Sequence, residues 1–257
     1  MPDLLTVVLL VLASAVAGFV DAIAGGGGLI LMPALLLGLP ASTPIPTVLG
    51  TNKFAACTGT SVAAWQFARA DVVPARDLVL PVVAAILGAA GGVHFAYQLD
   101  PMVMRPVMLA LLVVMLVFVL VQPNLGAVHA PKLGRRAERT LTGVIALGLG
   151  FYDGFFGPGT GSLLIFLFVA ILGYDFVRAS ALAKAANWGS NACALVLFVA
   201  AGSWVPLLAV LLAVGNVTGA RFGARLAIAK GSRLIRVLFV VVVSALVLRL
   251  GWQLWRG

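Results

Sequence analysis

Charge is scarce in this chain. Only 10% of its 257 residues are Asp, Glu, Lys or Arg, and only eight are acidic. With 62% hydrophobic residues and a mean hydropathy of +1.14, there is too little polar surface to clothe a soluble domain. Cysteine and histidine are equally sparse, two of each. Cys57 and Cys193 lie in apolar stretches and read as packing residues. His94 and His129 stand alone, so no Cys/His metal spacing exists and no metal or other cofactor is expected. No glycine run is followed by Gly-Lys-Ser/Thr, which excludes a phosphate-binding loop of that type. Nothing resembles a nucleophile, base and orienting group, so catalysis is not expected.

What the chain does contain is long charge-free runs. Residues 22–52, 78–99, 106–128 and 185–220 hold no Lys, Arg, Asp or Glu. A membrane-spanning helix needs about 20 apolar residues. The expected fold is therefore all-α and polytopic; a β-barrel would show short alternating segments instead. The formal charge of +9 is dispersed over junctions between apolar segments, which argues against nucleic acid and for the positive-inside rule. Leu4 to Ala15 has the look of a signal peptide, but Asp3 replaces the usual basic start and the run continues into the first motif below, so it is read as a retained helix.

The chain repeats itself. Gly18-Phe19-Val20-Asp21 followed by Gly25 to Gly28 returns as Gly150-Phe151-Tyr152-Asp153 followed by Gly157-Pro158-Gly159-Thr160-Gly161. Each half reads as five apolar segments: 4–24, 28–40, 46–68, 75–98 and 102–122, then 139–156, 160–173, 178–201, 204–226 and 233–251. The second of each set is too short to cross about 30 Å of hydrocarbon and is expected to fold back from its glycine break, leaving eight full spans. The organisation expected is a first repeat over 1–124, a cytoplasmic linker over 125–138 and a second repeat over 139–257. The basic cluster Lys132, Arg135, Arg136 and Arg139 sets the linker inside. Five segments per half then give an inverted-topology repeat with both termini periplasmic. Gly88-x-x-x-Gly92 is matched with Gly215-x-x-x-Gly219 as close-packing pairs.

The candidate site follows from these repeats. Gly25, Gly26, Gly27 and Gly28 interrupt one helix; Gly157, Gly159, Thr160 and Gly161 interrupt its counterpart. Broken backbone at membrane depth must be buried in protein or line a cavity, where free N–H groups and a helix dipole favour an anion. Close helix packing is the other use of such glycines. Lys53 and Lys184 lie in apolar surroundings where a lysine is costly. They serve a substrate, reach for the headgroups, or pair with Asp21 and Asp153. If unpaired, Lys53 could be removed without unfolding the chain. Thr51, Asn52, Asn187 and Asn191 add polar groups beside the lysines. Asp21 and Asp153 are either structural partners of the lysines or proton carriers.

Gly18 to Asp21 with Ala24 to Gly28, Gly50-Thr51-Asn52-Lys53, Gly157 to Gly161, and Lys184 with Asn187, Ser190 and Asn191 together resemble the TauE/SafE sulfite exporter family, also called TSUP. The resemblance extends over essentially the whole chain. It implies a secondary transporter moving sulfite, sulfonates or related organosulfur anions across a bacterial inner membrane. The residues by themselves indicate only a small anion. A passive anion channel, and a membrane scaffold or enzyme with structural lysines, are the competing classes. The expected partners are the lipid bilayer and a small anion, sulfite or sulfonate; a homodimer is allowed by the sequence.

Overall fold

A computed structural model describes residues 2–40, 42–98, 110 and 133–230. Among the described residues the chain is helical with no strand. The first half has α1 (Leu4–Ala24), α2 (Gly28–Gly38), α3 (Ile45–Arg69) and α4 (Ala75–Gln98). The second has α5 (Arg135–Phe155), α6 (Thr160–Ala170), α7 (Phe176–Ala200) and α8 (Pro206–Lys230). The expected segments 102–122 and 233–251, most of the linker with His129 and Lys132, and the C-terminus lie outside the described residues.

One helix is longer than its apolar segment. The segment was expected to start at residue 139, and α5 is already helical at Arg135. Arg, Ala and Glu are good helix formers, and Glu138 in the first turn suits the positive end of the helix dipole. Charge ends a hydrophobic segment without ending the helix. The same holds for α8, which continues through Arg225 to Lys230.

Among the described residues three helices are long and apolar enough to cross a membrane by length and composition: Leu4–Ala24, Ala75–Gln98 and Pro206–Ala229. Leu5, Leu9 and Leu12 on α1, Val79, Val83 and Leu87 on α4, Val144 on α5 and Val214 on α8 are exposed. So many bare aliphatic side chains would be a liability in water and are expected of a surface facing lipid. α2 and α6 have 11 residues each, a rise of about 16 Å, too short to cross.

The halves pack reciprocally. α1 lies along α8 and α5 along α4; α3 also meets α8, as α7 meets α4. α3 and α7 meet each other in the middle. Glycines set these approaches. A Cβ at Gly88 or Gly92 would collide with the backbone of Leu147 and Phe151. The corresponding backbone in the first half, Ala15 and Phe19, is met by Gly219 and Gly223. The true counterpart of Gly88 and Gly92 is thus one helical turn later than the expected Gly215 and Gly219. Gly215 instead packs on Val11, extending the same seam, and a run of three such glycines hides the register in sequence.

Candidate anion site

The site forms where the two glycine breaks meet. α1 ends at Gly25, whose φ of +80° is left-handed and whose N–H caps Asp21 O. In the second half Gly157 and Gly159 take φ of +97° and +84° before α6 starts. Tyr152 OH donates to Pro158 O at 2.7 Å and Thr160 Oγ1 to Gly157 O at 2.7 Å, bracing that turn. Of the two uses open to such glycines, lining a cavity and close packing, the breaks show direct contact with each other: Ser162 N donates to Gly25 O at 3.1 Å and Ser162 Oγ to Ala24 O at 2.7 Å. Both short helices therefore start from one crossing. Among the described residues the amides of Gly28 and Gly161, at those two starts, find no acceptor, as helix N-termini do.

Both lysines are paired, and each pair joins the halves. Lys53 Nζ lies 2.8 Å from Asp153 Oδ1, with exposures of 1% and 2%. It also donates to Asn191 Oδ1 at 3.1 Å, and Asn191 Nδ2 donates to Asn187 Oδ1 at 3.1 Å. Ser190 Oγ donates to Asp153 Oδ2 at 2.7 Å. Lys184, fully buried, donates to Asp21 O and lies 3.2 Å from Asp21 Oδ2. Asp21 retains 17% exposure and accepts from Gly27 N at 3.4 Å. Of the alternatives open in sequence, the ion pair describes this conformation, and Lys53 is not free to be removed without consequence. A buried pair of this kind is costly to break one partner at a time.

A cavity of about 20 Å³ lies at the crossing. It has room for about one water molecule and not for a sulfonate. Of the residues expected at the site, Asp21, Gly25, Gly27, Gly28, Asn52, Lys53, Asp153, Gly157, Gly161, Asn187 and Asn191 line it. Gly26, Gly159, Thr160, Thr51 and Lys184 do not. Thr51 is occupied elsewhere: its Oγ1 donates to Thr47 O at 2.7 Å and accepts from Val205 N at 3.0 Å, tying α3 to the start of α8. Lys184 stands behind Asp21. Asn52 Oδ1 is buried without a partner among the described residues, the kind of polar atom that a bound water or ligand satisfies.

Sequence reasoning missed Asn216, which also lines the cavity. It donates to Ser14 O at 3.2 Å and crowds Gly59. Its signal was present: an asparagine deep in the charge-free run 185–220 is an expensive residue to bury without purpose. It has no counterpart in the duplication, which is why a search by repeats passed over it.

The sulfite exporter TauE/SafE family matches residues 10–250. A Haemophilus influenzae protein described as "probable membrane transporter protein" is 36% identical over 233 residues, 88% of this chain and 87% of its own length. A Sinorhizobium protein described as "probable membrane transporter protein ORF9" is 36% identical over 242 residues, 94% of this chain and 90% of its own. The Escherichia coli "probable membrane transporter protein YfcA" is 36% identical over 231 residues, 90% and 84% of the two chains. No solved structure matches. With the match running from one end of the helical bundle to the other, this chain belongs to the TauE/SafE family and is a membrane transporter.

Proposed function

We propose that the protein is a secondary transporter that exports sulfite or an organosulfonate across a bacterial inner membrane. One observation carries the reading: two fully buried lysines, cross-paired with aspartates from the opposite half, beside the crossing of two broken helices. The charges there cancel, two ammonium groups against two carboxylates. A monoanion entering alone would leave an uncompensated charge in a region of low dielectric. It therefore displaces a carboxylate from its lysine, or enters with a proton carried by Asp21 or Asp153. Either route makes the ion pair a latch that the substrate opens. The small cavity, about 20 Å³, supports a transporter over a channel, because the site has to widen before an anion fits. In proteoliposomes with an imposed proton gradient, sulfite or sulfoacetate is expected to accumulate above equilibrium, and sulfate to compete poorly. Equilibration indifferent to the gradient would identify a channel.

The reciprocal packing of the halves supports reading them as inverted repeats, 1–124 and 139–257, with both termini periplasmic and Arg135, Arg136 and Arg139 cytoplasmic. In a variant without Cys57 and Cys193, a cysteine at position 3 is expected to react with an impermeant maleimide from outside, and one at position 136 only after permeabilisation. The reverse pattern would overturn this orientation.

A further inference from the structure

A second, larger cavity lies away from the lysines. It measures about 490 Å³ and is bounded by the starts of α4, α5 and α7. Among the described residues, Arg76, Arg135, Arg139 and Arg178 face it together with two acids, Asp77 and Glu138. The acids do not quench it. Asp77 lies 4.0 Å from Arg76 and 3.9 Å from Arg178, the outer limit of an ion pair. Glu138 accepts the hydroxyl of Tyr174. Burial first, then the Glu138 carboxylate, push the Tyr174 phenol up to about 12, so it stays a donor at neutral pH. Arg178 is held over the Tyr174 ring at 5.0 Å, and its buried Nε has no partner among the described residues. A fixed guanidinium with unused donors is suited to a planar or tetrahedral oxyanion.

Among the described residues the other end of the bundle carries no matching arginines. Leu4, Ile45 and Ala75 start helices in the first half, and Arg135, Phe176 and Pro206 start their counterparts 131 residues on. At that spacing Leu4, Val8, Thr47 and Leu207 stand where Arg135, Arg139, Arg178 and Arg76 do. The lysines are duplicated and the arginines are not. The positive-inside rule asks only for cations in loops; it does not ask for four around one concavity. The cavity and the central site share a helix. Leu182 lines it, and Lys184 follows on the same helix, about 9 Å along the axis from Arg178.

We propose that this cavity is a one-sided vestibule that collects a small divalent oxyanion, sulfite dianion or a sulfonate bearing a carboxylate, and delivers it along α7 to Lys184 and Lys53. The vestibule deepens the proposed function and rests on it for the delivery step, but not for binding. Focusing an anion at one mouth raises its local concentration on that face alone. Titration calorimetry of sulfoacetate into the detergent-purified full chain tests it directly. Binding is expected to persist in K53A/D153N, where the central pair is gone, and to weaken at least tenfold in R139Q/R178Q. R178K is expected to restore only part of it, because an ammonium lacks the guanidinium fork. No binding to K53A/D153N, or unchanged binding to R139Q/R178Q, would overturn the vestibule. In vesicles loaded from either face, R139Q/R178Q is expected to raise KM at least tenfold from the arginine face only; an equal change from both faces would overturn its one-sidedness. Sulfoacetate that binds at the arginines but is never moved would defeat the transport reading and leave the vestibule standing.

Discussion

Lys53→Ala is expected to lose transport and much of its stability together. The lysine and Asp153 are 1% and 2% exposed and 2.8 Å apart. Removing one member leaves a carboxylate buried among α3, α5 and α7 with Ser190 as its remaining donor. Breaking a buried pair in this way costs about 3–5 kcal/mol, mostly the cost of the charge left behind. Asp153→Asn strands the lysine and is expected to cost a similar amount. The double change K53A/D153N removes both charges and should recover most of the stability, giving a coupling of at least about 2 kcal/mol in a double-mutant cycle. Transport should not recover, because the cation that receives the anion is gone. Thermal unfolding in detergent gives the first quantity and proteoliposome flux the second. Lys53→Ala with wild-type melting and flux would remove the latch from the mechanism. Additive single effects on stability would show that the two groups do not act as a pair. The second pair should be softer toward loss of its lysine: Asp21 is 17% exposed and water can solvate it when Lys184 is lost, so Lys184→Ala is expected to cost less than Lys53→Ala.

Much of this arrangement was legible in the residues. The duplicated Gly-Phe-x-Asp motif located both aspartates, and apolar length bounded α1 and α4 to the residue. Composition also separated the short helices, since glycine and proline interrupt the apolar runs at the places where the backbone turns. The pairing was harder. A lysine in an apolar run announces a cost, but sequence does not say which carboxylate offsets it. Lys53 finds Asp153 and not the nearer Asp21 because α3 meets α7 and α5 belongs to the other half, a fact of tertiary packing alone. The contact between the breaks was hidden for the same reason: glycine permits either an open cavity or a close crossing, and only the neighbour decides. The arginine cavity was read as topology, because its members come from three separated stretches that meet only when α4, α5 and α7 align.

That crossing makes glycine substitutions separable by what their methyl group would strike. At Gly25 an alanine must hold φ near +80°, which costs roughly 1–2 kcal/mol for an L-residue. Its Cβ would also overlap the backbone of Gly161 and Ser162, atoms that cannot turn aside. The hydrogen bond from Ser162 N and the joint start of α2 and α6 then have to separate, so Gly25→Ala is expected to fail to give a folded, monodisperse protein. Gly157→Ala bears a similar angular cost at φ +97°, but its Cβ would meet Lys53 Nζ at 2.8 Å, the mobile end of a side chain. That variant is expected to fold with a loss of about 1–2 kcal/mol and to transport at least tenfold more slowly, since the methyl group crowds the ammonium without separating it from Asp153. Gly148 on α5 meets nothing within 4 Å and is not in the left-handed region. Gly148→Ala should fold and transport as the wild type does, with up to about 1 kcal/mol gained from helix propensity. Melting temperature and flux measured on the three proteins distinguish packing from site. Gly25→Ala that behaves like wild type would mean the breaks do not cross as described. Gly157→Ala that folds and transports normally would mean that the turn beside Lys53 is scaffold and takes no part in moving the anion.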